Sequence, residues 1–167
     1  SDVYKRQVNM YGPGDNHDPR ASHVIPAILS RVGYAKANNQ KSMEVWGSGK
    51  ATREFLYVDD CAQAIMLAME QYNEANPVNI GTGVETNIKD LIELICELME
   101  YDGEIVWNDQ KPDGQPRRCL DVSRAEEGFG FTASTSLREG LEKTVEWCKD
   151  FQFYHKTINE LPPTERA

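Results

Sequence analysis

The chain has 167 residues, 40% of them hydrophobic and 27% charged, which is enough apolar material for one ordinary globular core. A formal net charge of -9 and a pI near 4.8 oppose nucleic acid or an anionic membrane as the main partner, so any bound anion has to be gripped by local arginines against an unfavourable overall field. No apolar run approaches the ~18 residues needed to cross a bilayer and no signal peptide is visible, which makes the cytoplasm the expected compartment.

Ser1–Gln7 is polar and basic, without turn or cap chemistry, and is expected to be a non-native segment. A short strand at Val8–Tyr11 runs into Tyr11–Pro19, a stretch so rich in glycine and proline that it reads as a surface loop of the kind that rims a site. A helix is predicted from Ser22 to Ala37. Ser22 is its cap, Pro26 lies in its first turn, and Val24, Ile25, Ile28, Leu29 and Val32 share one face. His23 and Arg31 stand eight residues apart, a little over two turns, and so at similar azimuth. They can reach one cleft, or be a capping histidine and a solvated arginine.

The stretch Val45–Asp60 reads as strand, tight turn, strand and helix start. Gly47, Ser48 and Gly49 supply the turn, Phe55 and Tyr57 face one way, and Asp59 and Asp60 cap the helix. A cationic Arg53 just after a glycine turn, near the indole of Trp46, suits a ligand with a negative charge and a flat ring, as a nucleotide has.

Asp60–Tyr72 is predicted to be an amphipathic helix burying Ala62, Ile65, Ala68 and Met69, and Pro77–Gly81 a short buried strand. Asn87–Glu100 is the clearest helix, capped by Asn87, with Ile88, Leu91, Ile92, Ile95, Leu98 and Met99 as its core stripe. Glu104–Trp107 is a further strand. Asn108–Leu120 is too rich in proline and glycine to be regular and carries two adjacent arginines, so it either caps a ligand or is merely solvated. Ser123–Glu126 and Ser136–Glu139 are two capping boxes, the second opening a helix with Leu137, Leu141, Val145 and Cys148 inward. Asn159–Ala167 reads as a frayed tail. Cys61, Cys96, Cys119 and Cys148 lack the close spacing of zinc or redox sites and are structural thiols, so no metal is expected.

Strands and helices alternate, which makes this an α/β chain without repeats. None of the glycine clusters at 12–14, 47–49 or 81–83 completes a G-x-G-x-x-G, and no tyrosine has a lysine four residues on. The dinucleotide phosphate fingerprint and a Tyr-x-x-x-Lys hydride-transfer pair are therefore both absent from this chain.

Six segments occur in order: Asn9-Met-Tyr-Gly-Pro-Gly-Asp-Asn16, Ser22-His-Val-Ile-Pro26, Trp46-Gly-Ser-Gly49, Arg53-Glu-Phe-Leu-Tyr-Val-Asp-Asp60, Asn79-Ile-Gly-Thr-Gly83 and Lys111-Pro-Asp-Gly-Gln-Pro-Arg-Arg118. Together, over residues 8 to 150, they resemble the GDP-L-fucose synthase family of extended short-chain dehydrogenases/reductases. The N-x-Y-G-P and R-E-F pieces resemble many sugar-nucleotide epimerases and dehydratases, whereas S-H-V-I-P and K-P-D-G-x-P-R are more particular to the fucose synthases.

The resemblance implies an α/β fold that is the C-terminal, substrate-binding portion of such an enzyme, lacking most of the Rossmann domain. Residues 1–7 would be artefactual, 8–150 the sugar-nucleotide-binding portion and 151–167 a tail. In the full-length parent it implies NADP(H), a GDP-sugar substrate undergoing 3,5-epimerisation and 4-keto reduction, and a homodimer. The phosphate-binding glycines, the Tyr and Lys, and a catalytic cysteine would all precede Asn9, leaving the fragment inactive by itself. His23 would be the catalytic acid, an imidazole that can give and take a proton. Asn9, Met10 and His23 would meet the nicotinamide end of the cofactor, and Arg31, Trp46, Arg53, Asp113 and Arg118 the substrate. His17 stands where relatives carry an aromatic residue and reads as a surface loop histidine. The other readings are a fragment of another sugar-nucleotide epimerase or dehydratase and a stand-alone nucleotide-binding module.

Overall fold

The structure, a computed structural model, describes residues 8–18, 21–111 and 114–150. The expectations for residues 1–7, Asp113 and the tail at 151–167 lie outside the described residues. In chain order the elements are β1 (Asn9–Tyr11), α1 (Val24–Ala37), β2 (Ser42–Trp46), β3 (Thr52–Arg53), β4 (Phe55–Tyr57), α2 (Val58–Gln71), β5 (Thr86–Asn87), α3 (Ile88–Leu98), β6 (Glu104–Asn108), α4 (Ser123–Phe129) and α5 (Leu137–Asp150).

The described strands form three pairs. β1 runs parallel to β4 with Asn9 opposite Phe55, β2 runs parallel to β6 with Val45 opposite Trp107, and β3 is antiparallel to β5. β2 alternates as a half-buried strand must, with Met43 and Val45 inward. β4 is buried throughout because it separates two cores. Phe55 and Tyr57 face the larger one, where α1, α3 and α5 bring Leu29, Val32, Leu91, Ile92, Ile95, Leu141 and Val145 together. Leu56 faces the smaller one with Ala64, Ala125, Phe129 and Phe131. Leu91, Ile92 and Ile95 are fully buried, each worth about 1.5–3 kcal/mol in transfer from water. Asn87 caps α3 as expected, accepting from Lys89 N–H at 2.8 Å.

Several local expectations are corrected. α1 starts at Val24, with His23 rather than Ser22 at the cap position; Asp18 O takes the Ser22 N–H at 2.8 Å, and Ser22 Oγ is buried without a hydrogen-bond partner. α2 starts at Val58, so Asp59 and Asp60 sit inside its first turn. Asp60 is buried and accepts from Ser134 Oγ and Thr135 N–H, both at 3.0 Å, serving a tertiary tie rather than a cap. The inward face of α2 is Ala64 with Cys61, Leu67 and Ala68. Ile65, Met66 and Met69 are exposed. This helix is apolar on two sides, and periodicity does not say which turns inward.

Pro77–Gly81 forms no ladder. Asn79 Nδ2 donates to Asp121 O at 2.9 Å, and the following Thr82 and Gly83 N–H groups go to a side chain, so loops replace the neighbouring strand. At α4, Val122 is the cap, and Asp121 Oδ1 accepts from both Ser123 N–H and Oγ, displacing the expected box. At α5 half of the box forms. Glu139 N–H donates to Ser136 Oγ at 3.2 Å, while the Glu139 carboxylate turns to Lys143. None of the four cysteines is in a disulfide.

His17 is the largest departure. It is buried, its Nδ1 3.2 Å from Ser30 Oγ on α1, its Nε2 3.8 Å from Cys148 Sγ on α5, and its ring stacked with Trp147. The loop after β1 thus folds back as a plug between two helices. Burial lowers the His17 pKa, against the charge of Asp15 and a backbone bond at Pro26. The unfolded imidazole titrates near ~6.5, so above that pH both states are neutral and the stability is fully present. As pH falls below it, the unfolded chain takes a proton that the fold resists, and stability is lost down through the lowered folded pKa. His17→Gln should therefore be less stable at pH 7.5 yet lose less on going to pH 5.5, as read from urea midpoints; an equal loss in both proteins would clear His17 of the acid sensitivity.

Candidate ligand-binding cleft

A cleft of about 500 Å³ opens at the C-terminal end of β1, walled by Asn9, Met10, Gly12, Asp15, His23 and Arg118. Parallel pairing with β4 fixes the strand, and Asn9 Nδ2 donates to Glu54 O at 3.3 Å. Tyr11 then turns away into the core, donating its hydroxyl to Leu137 O at 3.3 Å and meeting Tyr57 edge to face. A Cβ on Gly140 would collide with that hydroxyl. Burial pushes the Tyr11 phenol well above its ordinary pKa, so it is no acid for the cleft. Gly12 has φ of +153°, and a Cβ there would meet Val58 Cγ1 at 2.5 Å, so glycine lets the loop lie against the start of α2. His23 reaches the cleft from the start of α1, exposed and making no side-chain capping bond.

Arg31 does not line this cleft. Eight residues advance a helix by about 12 Å along its axis, so shared azimuth does not bring His23 and Arg31 to one place. Arg31 instead lies over Trp46, its Cζ 5.4 Å from the ring centroid, and Lys111 Nζ approaches the same ring to 5.0 Å. The indole is 52% exposed. Burial lowers the Arg31 pKa and Glu44 opposes that shift; the guanidinium remains charged.

Arg53 is rigidly aimed, but by carbonyls. Its Nη1 donates to Thr52 O at 2.7 Å and to Gln115 O at 2.6 Å. The loop bearing Gln115 is sewn down further by Thr52 N–H to Pro116 O at 2.9 Å and by Arg117 Nε to Glu85 Oε1 at 2.8 Å. Its next residue, Arg118, lies at the cleft. Asn9, Met10, His23 and Arg118 therefore meet in one cavity, Arg31 and Trp46 form a separate cluster, and Arg53 braces the loop that carries Arg118.

Sequence reasoning passed over Glu54. Its carboxylate is buried between the two cores, accepting from Thr82 N–H at 2.6 Å and Gly83 N–H at 2.9 Å through Oε1, and from Leu120 N–H at 2.7 Å through Oε2. An acid directly before the apolar run Phe55–Val58 is itself a signal, because a buried carboxylate demands donors. The NIGTG segment supplies two of the three, and it can come close only because Gly81 has no side chain: a Cβ there would collide with Glu54 Oε1.

This α/β arrangement, with short parallel strands feeding a cleft between a glycine-proline loop and a helix start, matches the fold of solved sugar-nucleotide epimerases and reductases over part of their length. Residues 3–81 match the NAD dependent epimerase/dehydratase family. The chain is similar to GDP-L-fucose synthases: it is 48% identical over 139 residues to a putative GDP-L-fucose synthase 2 of Arabidopsis thaliana, covering 83% of this chain and 42% of that protein. It is 43% identical over 153 residues to the GDP-L-fucose synthase of Escherichia coli K12, covering 86% of this chain and 47% of the relative. A crystal structure of a GDP-L-fucose synthetase from Naegleria fowleri bound to NADP superposes with a TM-score of 0.79 at 26% identity, covering 85% of this chain and 44% of that one. The chain thus spans less than half the length of the relatives named here.

Replacing Glu54 tests how the two loops are held. Glu54→Gln turns an acceptor into an NH₂ group facing a backbone donor, which should cost about 2–4 kcal/mol in urea unfolding. A loss under ~0.5 kcal/mol, the range of ordinary surface substitutions, would show that the carboxylate is not the tie.

Proposed function

We propose that this chain is the substrate-binding part of an NADP(H)-dependent epimerase/reductase acting on GDP-4-keto-6-deoxy-mannose and yielding GDP-L-fucose. The observation that carries the reading is the convergence of Asn9, Met10, His23 and Arg118 on one cleft. The C4 ketone acidifies the protons on both adjacent carbons, so an acid/base pair can invert each centre through an enolate. His23, exposed at the mouth of the cleft, is the acid that returns the proton. The amide of Asn9 and the part-exposed thioether of Met10 fit the carboxamide edge and flat face of a nicotinamide ring. NADPH, when bound, supplies the hydride that reduces the ketone.

The substrate residues divide by chemistry. Arg31 and Arg53 provide cations for the pyrophosphate, Trp46 a flat apolar surface, Arg118 a cation at the cleft, and Asp113 an acceptor for base or sugar donors. With no dinucleotide fingerprint and no Tyr-x-x-x-Lys pair in its sequence, the chain by itself should reduce no keto sugar and hold NADPH weakly.

The reading is tested at Arg53 by calorimetry with a GDP-sugar. Removing a charge-assisted hydrogen bond costs ~1.5–3 kcal/mol, so Arg53→Ala should weaken binding by roughly ten- to more than a hundredfold. Arg53→Lys should recover only part, since an ammonium cannot reproduce the planar fork. His23→Ala should leave GDP-sugar affinity nearly intact. If Arg53→Ala unfolds more easily but binds as before, the arginine is only the brace of the Gln115 loop and the anion-site reading fails.

A further inference from the structure

The loop after β6 carries three described cations, and each has a different neighbourhood. Arg117 is committed to Glu85, and Arg118 lines the cleft. Lys111 stands over Trp46, the ring that Arg31 also covers. Two positive charges within about 5.5 Å of one indole centroid repel each other, and the ring quadrupole returns only ~0.5–1 kcal/mol at an exposed site. Glu44 acts on Arg31, yet in a chain with a formal net charge of -9 two cations over one ring remain a local concentration of positive charge. The group whose charges it matches is a diphosphate, two adjacent anions that need two donors.

The position of Lys111 is set by its surroundings. Its N–H donates to Asn108 O at 3.2 Å at the end of β6, and the far side of the loop is fastened by the Thr52, Arg53 and Glu85 bonds described above. A lysine on a fastened loop keeps a mobile four-carbon stem, so the ammonium can leave the ring for a phosphate while the backbone stays. We propose that Lys111 is a further ligand-binding residue, which grips the diphosphate together with Arg31 and sets the preference for a nucleoside diphosphate over the monophosphate or the bare nucleoside. This rests on the reading above that the chain binds a GDP-sugar.

Calorimetry on the full chain with GDP, GMP and guanosine tests it. Lys111→Met removes the charge and keeps the stem at an exposed position, so the urea midpoint stays where it was. GDP affinity should fall about tenfold, guanosine should change less than about twofold, and Lys111→Arg should restore GDP to within about threefold. A parallel fall for GDP and guanosine would mean a merely structural role and overturn the proposal, as would unchanged GDP affinity. Should Arg53→Ala weaken GDP while Lys111→Met does not, the diphosphate assignment of Lys111 falls and the GDP-sugar reading stands. Wild-type chain without measurable GDP affinity overturns both.

Discussion

Three backbone N–H groups from two loops far apart in sequence end on a single buried carboxylate, that of Glu54. A carboxylate moved out of water is tolerated only when donors replace its hydration, and here the donors are main-chain groups that would otherwise be unpaired themselves. Each side therefore needs the other. Because Glu54 sits between Arg53 and Phe55, the same few residues hold the NIGTG segment, the approach to α4 and the β1–β4 pair in one arrangement. The neighbouring Arg53 does the equivalent with its guanidinium, donating to the carbonyl of Gln115. A guanidinium and a carboxylate adjacent in the chain thus both fasten the loop after β6, at Gln115 and Leu120, and the carboxylate ties Thr82 and Gly83 to it through complementary backbone groups.

That fastening explains how short strands position a site. β1, β3 and β4 have three, two and three residues, too few for ladder bonds alone to fix the loops that leave them. Contacts outside the ladders make up the difference: Tyr11 against Tyr57 and His17 between α1 and α5 in the core, and the Gly12 backbone against Val58 at its edge. The cleft residues stand on segments braced in this way, which is the condition for holding groups in place before a ligand arrives.

The elements with one strong periodicity are legible from residues alone. α1, α3 and α5 bury the stripes their spacing predicts, and β2 and β6 fall at the short apolar runs ending at Trp46 and Trp107. α2 is legible as a helix but not in its facing, since Ile65, Met66 and Met69 make as good a stripe as Ala64 and its neighbours. His17 escapes a reading from sequence because a loop composition says nothing about whether the loop folds inward. The caps expected at Ser22 and Ser123 fail differently: Ser22 Oγ is buried without a hydrogen-bond partner, while Asp121 Oδ1 takes both the N–H and the Oγ of Ser123. At the site, the resemblance points to Asn9, Met10, His23 and Arg118, which do meet. Glu54 shows in the sequence only as an acid ahead of an apolar run, and neither its partners nor the Lys111–Trp46 contact can be read there, because they lie dozens of residues away.

The exposed stripe on α2 has a chemical consequence. Met66 and Met69 are 59% and 79% exposed, whereas Met43 and Met99 lie in the larger core. A thioether takes up one oxygen from peroxide at a rate governed by access, and the resulting sulfoxide is polar. Mild oxidation will therefore mark α2 first and convert its apolar ridge into a hydrated one, while the two core sulfurs react only as fast as the fold opens. Apart from Met10 at the cleft, the methionines of this chain form a built-in pair of clocks, one reporting what lies against α2 and the other the integrity of the core beneath it.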